Sequence, residues 1–137
     1  MKGLALLPVL FLMGCASVCT SGSEFEPPLC PSHVPQVATL SINQTGQGVS
    51  DDMSCKEFTP TEIEVRRFLT QAQETTANGV HYTLPELPCF AAGKMVFKDG
   101  RKAEWSVRPL NLGSIVVEDG TEKILYCPDC NFGPFRN

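Results

Sequence analysis

Cys127-Pro128-Asp129-Cys130 is the sharpest chemical pattern in the chain. Two thiols at this spacing can close a small ring, or exchange it with the thiols of another protein. Exchange needs a stabilised thiolate, and a helix opening at the motif supplies that stabilisation in thiol-redox proteins. Here Asn131 and Phe132 follow, then Gly133-Pro134, which forbids a useful helix. A structural disulfide is therefore the favoured reading, with thiol exchange as one alternative. A four-cysteine zinc site that adds Cys55 and Cys89 is another, although zinc ribbons show two C-x-x-C pairs and this chain shows one.

The other chemistry-bearing residues are scattered. His33 and His81 stand alone and read as bystanders. Glu62, Glu64 and Glu74 fall on an expected helix, where exposed carboxylates serve solvation. Asn43-Gln44-Thr45 has the form of a glycosylation sequon. The chain holds no G-x-S-x-G, H-E-x-x-H or phosphate-binding loop. Nothing assembles a nucleophile, a base and an orienting group, so neither an enzyme nor a cofactor or metal site is expected. Trp105 and Arg108 are the candidate contacts for a partner, on a sheet face or its loops.

The N-terminus speaks to location. After Lys2, Gly3 to Met13 is an apolar run of eleven residues. A membrane span needs roughly 20, so this run has the dimensions of a signal-peptide core. It ends in Leu12-Met13-Gly14-Cys15. The first 15 residues thus resemble a bacterial lipoprotein signal peptide with its lipobox, Met13 standing where that family usually has Ala, Ser, Thr or Val. The resemblance implies cleavage after residue 14 and acylation of Cys15, so that the partner is the lipid bilayer. Each buried CH₂ contributes about 0.8 kcal/mol, and two or three acyl chains anchor stably. Ala16 after the cysteine, by the same resemblance, points to the outer membrane, facing the periplasm. Cleavage near Ala16 or Ser17 would instead release a soluble periplasmic or secreted protein.

Either route leaves six of the seven cysteines: Cys19, Cys30, Cys55, Cys89, Cys127 and Cys130. An even set in an oxidising compartment argues for disulfides, with 15 pairings open. With Lys2 gone, ten of the eleven basic residues face fifteen acidic ones, and there is no basic run. That balance disfavours nucleic acid as a partner.

Three regions emerge: a signal peptide over 1–14, a tether over 15–54 and a small domain over 55–137. The tether is rich in Ser, Thr, Pro, Gly and Gln and has no Lys or Arg, a composition that does not fold alone. A flexible chain of that length spans roughly 35 Å, although Pro35 to Ile42 can add a strand. Pairing of Cys19 with Cys30 would close a short loop within it.

The domain opens on a helix. Thr59 is the expected N-cap, with Pro60 first in the helix and Glu62 third. Val65, Phe68, Leu69 and Ala72 form its apolar face, and Asn78-Gly79 ends it. Four period-two strands follow between Cys89 and Cys127. Aligning Met95 and Gly93 with Ala103 and Trp105 demands a three-residue turn at Lys98-Asp99-Gly100. In the second hairpin Leu112, Val116 and Leu125 leave both faces partly apolar, so either the chain ends cover one face or a partner does.

The expected fold is α+β: one helix on a four-stranded antiparallel meander, roughly cystatin-like in outline. A Cys55–Cys89 link would staple it, with Cys127 and Cys130 pairing with each other or with those two. The expected function is a non-catalytic binding module with a protein or cell-wall partner, by architecture an inhibitor or immunity protein against an envelope-acting toxin or hydrolase. A passive structural lipoprotein is the remaining alternative.

Overall fold

The structure is a computed structural model that describes residues 18–48 and 55–136. Cys15 and the lipobox lie outside the described residues.

Alternating burial along successive segments builds one sheet. Its strands are β1 (Cys30–Pro31), β2 (Val37–Gln47), β3 (Gln73–Thr75), β4 (Phe90–Phe97), β5 (Lys102–Arg108), β6 (Leu112–Val117) and β7 (Glu122–Tyr126), and its helices are α1 (Glu62–Gln71) and α2 (Ala77–Thr83). The strand order is β1-β3-β7-β6-β5-β4-β2, and every pairing is antiparallel. This corrects the expected fold. The protein is mostly sheet, with seven strands and two helices, and the four expected strands form only its central meander. The cystatin-like outline of one helix on four strands goes with it.

Two of the added strands come from the segment expected to be a tether. β2 pairs along β4 from Val37↔Phe97 to Gln47↔Phe90, with three register shifts on the way. Only Leu40 along it is buried, and Ile42 is half-buried. A sheet edge wet on most of its surface reads as tether by composition. Its amide groups pair all the same, because β4 offers an open ladder.

The third added strand shortens the helix. Ala72 turns extended (ψ 149°) after its N–H closes the last helical bond to the Phe68 carbonyl. β3 then pairs with β7, Glu74 opposite Leu125. The N-cap is Thr61, two residues past the expected Thr59, and a capping box forms there. Glu64 N–H donates to Thr61 Oγ1 at 3.2 Å, and Thr61 N–H donates to Glu64 Oε1 at 3.0 Å. Asn78-Gly79 does not end α1. It lies in the first turn of α2, where Gly79 N–H donates to Thr76 Oγ1 at 3.0 Å.

The first hairpin has the expected register, with Met95 opposite Ala103 and Gly93 opposite Trp105. Gly100 closes it at φ +91°, and Gly120 repeats the device at φ +88° between β6 and β7. Both are left-handed positions that favour glycine.

The core lies between one sheet face and α1. Val65, Phe68 and Leu69 meet Met95, Trp105, Ile115 and Leu125 there. Phe135 closes the end of this layer, fully buried, stacked on Phe68 at 4.8 Å and edge-on to Phe58 at 6.0 Å. A second, smaller cluster sits on the opposite face, where Val80 of α2 covers Leu112 and Tyr126.

All six cysteines expected to pair do so, as Cys19–Cys30, Cys55–Cys89 and Cys127–Cys130, with Cα separations of 4.2, 5.2 and 5.4 Å.

Candidate functional site

The Cys127–Cys130 pair follows β7 directly and packs under α1. Both residues are buried, at 0% and 1% exposure. The loop between β5 and β6 holds them in place. Cys127 N–H donates to the Asn111 carbonyl at 3.0 Å, and Asn111 Nδ2 donates to the Cys130 carbonyl at 2.8 Å. Asn111 adopts φ 62°, a region Asn tolerates better than most residues. On the other side Gln71 Oε1 stands 3.8 Å from Cys130 Sγ. Exchange proceeds by attack of a thiolate on a disulfide sulfur, so it depends on access, and sulfurs closed off in this way act as a staple. Cys55 and Cys89 are likewise buried and bonded to each other. The four cysteines of the zinc alternative are thus two disulfides. Among the described residues no three His, Cys, Asp or Glu side chains gather as metal ligands.

The carboxylates singled out in the sequence have structural partners. Glu62 pairs with Arg66 at 3.1 Å, Glu64 closes the capping box, and Glu74 pairs with Lys123 at 3.2 Å. His33, at φ 48°, lies in the link between β1 and β2, and His81 stands on α2 with its ring 5.0 Å from that of Tyr82.

Trp105 and Arg108 do not form one surface. They sit three positions apart on β5 and face opposite sides of the sheet. Trp105 is 2% exposed, packed in the α1 layer over Gly93. Its Nε1–H has no hydrogen-bond partner among the described residues. It is a core residue, and its phase with Ala103 and Val107 in the alternation already said so. Arg108 is exposed on the other face.

That other face is the candidate site. α2 covers only its β6–β7 end. Across β4, β5 and β6 the face stays open. Ala92, Ser106 and Ser114 lie opposite one another in register and form a row of small side chains. Beside it runs a second row, Lys94, Glu104 and Val116, with Val116 41% exposed. A hollow of about 680 Å³ opens along this side, lined among others by Thr39, Lys94, Val96, Glu104 and Val116. A second, of about 380 Å³, opens where Asn43 and Gln44 of β2 meet the small-residue row.

Lys94, Lys102 and Arg108 supply positive charge to this face, and Glu104, Glu118 and Glu122 supply negative charge. None of the six is in an ion pair with another described residue. The geometry offers a shallow, charge-balanced trough floored by small side chains, with unpaired charges at its rim. Such a surface can hold a partner by shape and by cross-interface pairing. Of its residues, Arg108 and Val116 stand out from the sequence alone. Lys94 and Val96 were findable, because they alternate with the core residues of the same strand. Comparison with protein-family models, with curated proteins and with solved structures finds no match.

Proposed function

We propose that the chain is a membrane-anchored envelope lipoprotein whose domain works as a non-catalytic binding module, with the open sheet face as its docking surface. The observation that carries this reading is the uncovered trough across β4, β5 and β6, on a sheet whose other face carries the main core under α1. The anchor is Cys15, by its resemblance to a lipobox, and the location is the periplasmic side of the outer membrane. An anchored, disulfide-braced module with a balanced, mildly acidic surface suits a protein partner, of the kind met by inhibitors and immunity proteins that neutralise a toxin or a wall hydrolase.

Photo-crosslinking tests it. A benzophenone side chain is placed at Ser114 or Val116 on the open face, and at Ile63, which is 78% exposed on α1. Irradiated in the envelope, both open-face positions are expected to give one shared adduct, and Ile63 none. Adducts from Ile63 alone, or from no position, overturn the reading. Fractionation tests the anchor: the wild type is expected with the membranes and Cys15→Ser in the aqueous fraction.

A further inference from the structure

The segment after the lipobox is fixed to the domain almost at once. Cys19 is bonded to Cys30 of β1, and Thr20 and Leu29 exchange backbone hydrogen bonds at 2.7 and 3.3 Å. Thr75 Oγ1 of β3 donates to the Pro28 carbonyl at 2.7 Å. Pro27 is fully buried. Gly79 of α2 lies so near that a Cβ there would stand 2.9 Å from Pro28 Cδ. The loop closed by the disulfide therefore belongs to the fold.

This bears on the anchor, and the argument rests on the reading that Cys15 carries the acyl chains. Only residues 16–18 separate it from Cys19. Four extended steps reach at most roughly 14 Å. An acylated Cys15 sits at the edge of the hydrocarbon, under a headgroup layer some 5–8 Å thick. The disulfide loop cannot leave the neighbourhood of that layer.

The loop and the residue just before it expose apolar surface. Val18 is 81% and Phe25 77% exposed, and on the adjoining α2 Tyr82, three residues past Gly79, is 81% exposed. Glu24 and Glu26 flank Phe25, so an anionic surface would repel this tip. We propose that the Cys19–Cys30 loop docks the domain directly on the bilayer, with Val18 and Phe25 in contact with zwitterionic phospholipid.

The test uses the full lipidated chain carrying Phe25→Trp, reconstituted in phosphatidylcholine vesicles with brominated acyl chains. The parent chain measures the background from Trp105, which is buried in the core. Emission of the introduced indole is expected to fall about twofold below that in unbrominated vesicles, as for an aromatic side chain at the membrane interface. A second variant inserts a Gly/Ser linker of about 20 residues between Ala16 and Ser17 and is expected to lose most of the quenching. A chain that does not float with the vesicles refutes the acylation of Cys15, and the docking falls with it. A chain that floats without quenching above the Trp105 background keeps its anchor and overturns the docking. Quenching unchanged by the linker overturns the role of tether length.

Discussion

Gly93 decides how closely β2 can lie against β4. A Cβ there would stand 1.8 Å from the Ser41 carbonyl oxygen and 2.8 Å from the Trp105 ring. Gly93→Ala is expected to part the two strands at a cost of about 2–4 kcal/mol, read by urea unfolding. Asn111→Ala loses the bond to the Cys130 carbonyl and places alanine at φ 62°; a loss of about 1–3 kcal/mol is expected.

Protons act at two turns and at Tyr126. The Arg101 side chain, and then its backbone N–H, hold Asp99 below its ordinary 3.8, and the backbone N–H of Thr121 does the same for Asp119. A carboxyl lowered in the fold binds its proton less tightly there than in the unfolded chain. Its contribution is complete above the ordinary value and fades as pH falls through the lowered one. The amide resonances of Gly100 and Gly120 are therefore expected to shift below pH 3.8. Burial first, then Glu26 and Asp129, raises Tyr126 above 10. The sign is reversed for this group: its contribution is present below 10 and is lost as pH rises through the raised value. Ultraviolet titration of Tyr82→Phe is expected to place the remaining phenolate above 10.

The three disulfides close segments of different length, with sequence separations of 34, 11 and 3. Loop-closure entropy ranks their removal at about 4, about 3 and under 2 kcal/mol. Paired Cys→Ala variants are expected to fall in that order, Cys55–Cys89 first. The sequence was most legible where both faces of a strand had opposite character. Alternation in β4 and β5 fixed the register and the length of their turn. It faded in β6, where α2 covers Leu112 while Val116 stays in water. α2 was illegible because Asn78-Gly79 is a helix stop in isolation, whereas here Thr76, directly after β3, caps a new helix across it. β2 was legible in its first half, where Pro35 to Ile42 read as a possible strand, and not in its second, where no apolar side chain follows Ile42 as far as Gln47. Trp105 has the residue type of an interface anchor, but its phase along β5 with Ala103 and Val107 places it in the core. The open face followed from the same alternation, but which part of it α2 leaves bare depends on a helix the sequence did not disclose.

The fold does not separate into a leash and a head. A chain of residues 55–137 lacks β2 and β1, and so uncovers β4 along its whole length and one edge of β3. It is expected to aggregate or stay unfolded, whereas residues 18–137 are expected to give dispersed amide spectra. Phe135 fills the space between Phe58 and Phe68 and is itself fully buried. Ribosomes deliver residues in order, so the space between those two rings stays vacant until Phe135 has emerged, and a nascent chain that stops short of it holds an open core.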